Sequence, residues 1–354
     1  MDHTETLLRE LTEAHGVPGY EADVRALVRR HLEPLGDVVQ DGIGSVICRT
    51  GEGGPRVMLA AHMDEIGFMV HAITPEGFLR FVPLGGWHDQ VLLGHRVWIK
   101  TRKGDLPGVI GAKPPHLLSP EDRKKMVEKK EMYIDVGVGS KEEVEALGVR
   151  LGDPVVPDAG FRVMGNGKAY LSKAFDDRVG VALMIDALRH FAAHPHPNTL
   201  FGVATVQEEV GLRGARTSVE AVSPDVAIIL ESDICGDVPG VKPEEAAARL
   251  GGGPSLVLLD ARMVPNLRLR DLVIDTAAEL QVPLQFSALT GGATDGGEIH
   301  LHRTGVPTVV LCVPARHIHS HSGIIHRDDY DRALRVLTAV VAKLDAATVT
   351  SLAP

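Results

Sequence analysis

Residues Phe201–Arg216, FGVATVQEEVGLRGAR, change character twice. The run Gly202–Val206 is short and mostly apolar and reads as a buried strand. It breaks into two adjacent carboxylates, Glu208 and Glu209, and then into Gly211 and Gly214, after which a helix can start. Two neighbouring acids at the carboxyl end of a strand are costly to bury unless something positive faces them. A metal ion would meet that need. Within this window alone, a solvated loop carrying two surface glutamates meets it equally well.

The neighbouring sequence supports a sheet. Strands are expected at 44–49, 57–61, 199–206, 226–230, 284–289 and 308–313. Helices are expected at 4–15, from 21, and at 176–191, 266–281 and 328–344, each with apolar residues at helical spacing. The alternation implies an α/β fold with a mostly parallel sheet and helices on both faces. From Phe68 to Val163 the pattern is different: short alternating runs are broken by Gly, Pro and charged turns. This segment reads as a small β-barrel-like domain inserted into a discontinuous α/β domain, 1–67 and 164–354. Its Lys/Glu-rich run, 121–131, reads as a solvated loop or short helix.

Composition narrows the functional classes. Lys and Arg number 37 against 47 Asp and Glu, a net charge of 37 − 47 = −10, which argues against a nucleic-acid surface. The three cysteines lack metal-site spacing and read as reduced thiols of a cytoplasmic protein. The N-terminal MDHTETLLRE carries acids and no long apolar run, so neither a signal peptide nor a membrane partner is expected.

In open α/β sheets, ligands bind beyond the carboxyl ends of the strands. His62 and Asp64 follow one expected strand, Glu208 and Glu209 another, Asp233 a third and His319 a fourth, while Asp176 and Asp177 open a helix. Imidazoles and carboxylates without a thiolate suit Zn2+, Co2+ or Mn2+, and this many acids suit two ions better than one. Glu231 and Asp237 stand near Asp233 as donors of the same type. His317, His321 and His326 do so near His319.

The motifs AHMDEIGF, KAFDDRVG, VQEEVGLRGA, ESDICGDVPG, GGATDGGEIH and RHIHSHSG, with GAKPPH in the insert, occur in the order found in the M42 family of metallo-aminopeptidases, which the chain resembles over most of its length. The resemblance implies His62, Asp176, Glu209, Asp233 and His319 as ligands of two divalent ions, with Asp176 bridging them. It makes Glu208 the general base toward a water between the ions, and places Asp64 behind His62 to orient its ring. It also implies a cis bond between Asp176 and Asp177. ESDICGD departs from the family pattern, in which small or β-branched residues precede the ligand.

The activity so implied is removal of the first residue from peptides with a free N-terminus. An N-acyl amino acid deacylase on a related scaffold, and a non-catalytic scaffold, are the alternatives. Glu298 is a conceivable partner for a basic side chain of the substrate. The family's inserted domain mediates dimerisation, so dimers assembling into a dodecamer are expected. The apolar Val82, Leu84, Trp87, Val91 and Leu92 are then either contact residues or the core of the inserted domain.

Overall fold

A computed structural model describes residues 1–165 and 167–353. The central strand is Arg56–His62. Val57, Leu59 and Ala61 enter one core with Val179, Leu183 and Leu230, while Met58 and Ala60 enter the other with Val203, Val219 and Val310. A strand apolar on both faces needs a covered neighbour on each edge. Thr199–Thr205 and Val226–Ile234 pair with it in parallel, and Thr308–Arg316 pairs in parallel with Val226–Ile234.

Ser255–Asp260 and Gln285–Leu289 form a further parallel pair off Thr308–Arg316, and the full eleven-stranded sheet is mixed. Val46–Thr50 and Asp37–Gln40 run antiparallel along one flank. Gly323–His326, Ala169–Ser172 and Arg162–Met164 do so along the other. Short connections dictate the direction of three of these pairings, Asp37–Gln40 with Val46–Thr50, Arg162–Met164 with Ala169–Ser172 and Thr308–Arg316 with Gly323–His326, because a parallel crossover needs a dozen residues or more. The turn after Gln40 is closed by the Asp41 carboxylate, which accepts from the amides of Ile43, Gly44 and Ser45.

Helix Phe175–Ala193 lies on one face and Arg213–Val222 on the other. The first opens on Asp176 and Asp177, whose backbone angles are non-helical and whose peptide bond is cis. Farther along, it crosses the sheet at Gly202. A Cβ there would stand 2.6 Å from the Met184 sulfur and 2.8 Å from the Leu188 methyls.

Six strands close into a barrel: Gly67–Ile73, Phe78–Leu84, Tyr133–Asp135, Gly104–Gly111, Arg96–Thr101 and Pro154–Pro157. Inward-facing Phe68, Val70, Leu79, Ile99, Ile110 and Val155 give it a core of its own. Trp87 and Leu92 belong to that core, so of the two readings of the apolar residues here, burial within the barrel accounts for these two. The Lys/Glu-rich run forms short 3-10 turns, Asp122–Lys124 and Lys129–Glu131, with mostly exposed side chains. Among the described residues, no helix is long and apolar enough to cross a membrane.

The close approach at Gly202 predicts that Gly202→Val overpacks the helix–sheet contact and costs about 1–3 kcal/mol. Urea unfolding would show a lower midpoint. An unchanged midpoint would mean that the helix does not press on this position.

Candidate metal centre

Parallel register brings the site together. Thr205 is level with His62. On the other edge the pairing Ile229↔Ala60, carried two residues onward, sets Glu231 level with His62. After Thr205 the chain turns through Gln207 at φ 56°, so Glu208 and Glu209 fold back over the strand ends. The Asp64 carboxylate fixes them there, accepting from the amides of Glu208 at 3.0 Å and Glu209 at 3.1 Å. Asp176 arrives from the start of the facing helix, and His319 from the loop after Thr308–Arg316.

The two imidazoles converge on one carboxylate. His62 Nε2 lies 3.1 Å from Asp176 Oδ1, and His319 Nε2 lies 3.4 Å from Asp176 Oδ2. Around His62 Nε2 are also Glu231 Oε2 at 3.8 Å and Glu208 Oε2 at 3.9 Å. Glu209 Oε1 is 3.7 Å from His319 Nε2. Each ring engages a carbonyl through its other nitrogen: His62 Nδ1 bonds the Asp64 carbonyl at 3.0 Å, and His319 Nδ1 bonds the Gly86 carbonyl at 2.6 Å. Donation from Nδ1 leaves a lone pair on each Nε2, and these lone pairs point at carboxylates. That arrangement is repulsive unless a proton or a metal cation stands between them, and a cation there is the fit expected of metal-ligating histidines. The donor atoms of His62, Glu208 and Glu231 lie within 4.8 Å of one another, as do those of His62, Asp176 and Glu209. Nitrogen and oxygen donors in this number suit a borderline divalent ion.

Electrostatics point the same way. Burial pushes Glu209 up to about 8, with Asp176 adding to the effect. Glu208 and Glu231 are raised well above the carboxylate range, first by burial and then by neighbouring acids. Burial opposes a charge on His62, but Glu208, Glu231 and its hydrogen-bond partners outweigh it and raise the ring. Asp176 is also opposed by burial, yet bonds from both imidazoles hold it below the usual range. Without a metal the cluster therefore retains protons on Glu209 and the imidazoles near neutral pH.

The structure brings together His62, Asp176, Glu208, Glu209 and His319, with Asp64 behind them. It leaves out Asp233, the expected fifth ligand. That carboxylate accepts from Ser255 Oγ at 2.5 Å and from the Ile234 amide, and Glu231 stands beside His62 in its place. Two residues along a strand span about 6.7 Å, so only one of the pair can be level with His62. A signal was present in the sequence. His62 is the first residue after its expected strand, and Glu231 is the first after 226–230, whereas Asp233 is the third.

The other rivals are occupied elsewhere. Asp237 pairs with Arg316, His326 accepts from the Asp328 amide, and Glu298 pairs with Arg262 at 2.6 Å. Asp177 is a structural partner, accepting from the amides of His62 and Gly180. Burial pushes the Cys235 thiol up, which does not suit a nucleophile. The sequence reading also missed Glu65, whose carboxylate is held by Lys173 at 2.6 Å, and Asp295, a buried acid bonded to Thr205 at 2.5 Å.

The family model described as M42 glutamyl aminopeptidase matches residues 44–336, and a short model, AMPT, matches residues 2–27. The chain is 43% identical to FrvX of Escherichia coli (strain K12), over 96% of this chain and 95% of that protein. It is 35% identical to the glutamyl aminopeptidase of Lactococcus lactis subsp. cremoris (strain MG1363), over 96% of each. A TET aminopeptidase from Thaumarchaeota archaeon SCGC AB-539-E09 superposes with a TM-score of 0.97 at 47% identity, over 99% of both chains. The TET1 peptidase of Pyrococcus horikoshii, which can assemble into a tetrahedron or a large octahedral shell, has a TM-score of 0.88 at 34% identity, over 96% of this chain and all of its own. The chain belongs to the M42 glutamyl aminopeptidase family and is a peptide hydrolase.

Proposed function

We propose that the protein is a two-metal aminopeptidase acting on peptides with a free N-terminus. One ion would be held by His62, Glu231 and Asp176, and the other by Asp176, Glu209 and His319. The observation that carries this reading is the pair of Nε2 atoms aimed at opposite oxygens of Asp176, at 3.1 and 3.4 Å. Zn2+, Co2+ and Mn2+ all suit the donor set.

Bound ions would polarise the scissile carbonyl and acidify the attacking water. Glu208, beside His62 and held at its amide by Asp64, accepts the proton of that water at its carboxylate. The water oxygen bonds to the carbonyl carbon, the C–N bond breaks, and Glu208 returns the proton to the departing nitrogen. Asp64 contributes through position: its carboxylate holds the Glu208 and Glu209 amides, and its carbonyl fixes the His62 ring.

By analogy with the shell-forming TET1 relative, we propose that dimers of this chain assemble into a dodecamer. Three free, buried thiols support a cytoplasmic location.

Glu208→Gln removes the proton acceptor and keeps the shape. It is expected to retain both ions and lower kcat by roughly 10²–10⁴-fold. Glu209→Gln and Glu231→Gln are each expected to lose one ion and to be partly rescued by added metal. The measurements are metal content by mass spectrometry and release of single amino acids from unblocked peptides. Activity confined to N-acylated substrates would instead establish the deacylase reading.

Because Glu209, Glu208 and Glu231 are raised in the ion-free cluster, loading at pH 7 must displace protons. Affinity should therefore rise with pH and fall in mild acid. Calorimetry in buffers of different ionisation enthalpy would read the released protons, and a buffer-independent heat would contradict this. Light scattering of the metal-loaded protein at micromolar concentration should give a mass far above 37.9 kDa, and a monomer mass would sink the assembly reading.

A further inference from the structure

We infer that the barrel loop Gly85–Trp87 and the ring of His321 are positioning elements for His319, and so set how tightly the second ion is held. This rests on the two-ion reading above. Within its own loop His319 is held in a strained backbone conformation, and its ring has no hydrogen bond to that loop among the described residues. It adopts φ 57°, as His317 adopts φ 59°, a left-handed region that favours glycine. Its side chain is 42% exposed.

The barrel supplies what that loop lacks. The Gly86 carbonyl accepts from His319 Nδ1 and turns Nε2 toward Asp176 and Glu209. The approach is close enough that a side chain on either glycine would push on the site. A Cβ on Gly86 would stand 3.0 Å from His319 Nδ1, and one on Gly85 would stand 3.1 Å from Glu209 Oε2.

Two residues beyond His319, the His321 ring is wedged into the barrel's aromatic core. It stacks on His95 with centroids 3.7 Å apart and packs against Trp87 at 5.1 Å. Trp87 in turn stacks on Phe68 and donates Nε1–H to the Gly67 carbonyl. His321 is buried, and neither of its ring nitrogens has a hydrogen-bond partner among the described residues. What the ring offers the barrel is its flat face, against His95 and Trp87. An apolar ring of similar shape should serve as well, because unpaired buried nitrogens only add cost.

The test is titration of the ion-free protein with Co2+, followed by cobalt absorption and by metal content. His319→Ala identifies the binding step that belongs to its site. His321→Phe is expected to leave both steps unchanged. His321→Ala and Gly86→Ala are expected to weaken only the His319 step, by roughly 10–100-fold, with recovery at excess Co2+. Gly86 lies on an exposed loop, so that variant decides the matter if His321→Ala does not fold. Wild-type affinity in both alanine variants would overturn the inference. So would a His321→Phe variant as impaired as His321→Ala, since His321 would then act through its nitrogens. Uptake of a single ion by the unaltered protein would defeat the two-ion reading itself, and this inference with it.

Discussion

Everything at the carboxyl edge of the sheet answers to one constraint: too much negative charge is collected in too little water. Asp64 and Asp177 are satisfied by backbone amides. Glu231 has only the Ser232 amide, on one oxygen. Asp176, Glu208 and Glu209 accept from no backbone amide among the described residues, and the four crowd two imidazoles within 4 Å. Two like charges 4 Å apart repel by about 4 kcal/mol at an effective dielectric near 20. The protein's own buried cations do not relieve this. Lys173 is bound to both oxygens of Glu65, and Arg178 donates to the carbonyls of Leu11, Ala14 and Gly16. Burial lowers Lys173 to about 8, so even its charge is reduced. The balance is left to protons held by Glu209 and the imidazoles, or to a cation that could displace them.

The same internal cations do useful work one layer back. Glu65 follows the His62 strand, and its salt bridge with Lys173 ties that strand's exit to the segment leading into Asp176. Its amide donates to the Gly16 carbonyl, which joins both to the N-terminal helices. Glu21, at the start of the second helix, reaches the Gln207 amide and braces the turn that delivers Glu208. A site assembled from five separate segments, only two of them strands, is thereby tied together. Removing one partner of the Lys173–Glu65 pair would leave an uncompensated buried charge, the situation in which such pairs matter most.

Much of this was legible in the sequence because it follows from period and position. VMLAA reads as a strand covered on both faces, and the change of rhythm from Phe68 onward marked the barrel. The antiparallel flanks were not legible, since direction is set by connection length and pairing partner rather than by the strands' own residues. Asp233 was chosen over Glu231 by resemblance to a motif, whereas counting from the strand's start would have favoured Glu231. Glu65, Lys173 and Asp295 were not singled out because a buried charge is recognisable only once its partner is in place.

The point of insertion explains why a barrel belongs to this site at all. Insertions are tolerated where strands end in loops, and those same loops carry function in open sheets. The chain leaves the sheet at Gly67, five residues past His62, and the barrel's last strand ends at Pro157, before the chain re-enters the sheet at Arg162–Met164. A barrel placed there stands over the carboxyl edge, where its Gly85–Gly86 turn touches Glu209 and His319 without side chains in the way. Inserted at the opposite edge, the same barrel would bury the same apolar surface and leave His319 Nδ1 without its carbonyl. The position of the insert therefore matters to the geometry of the site, apart from whatever it contributes to assembly.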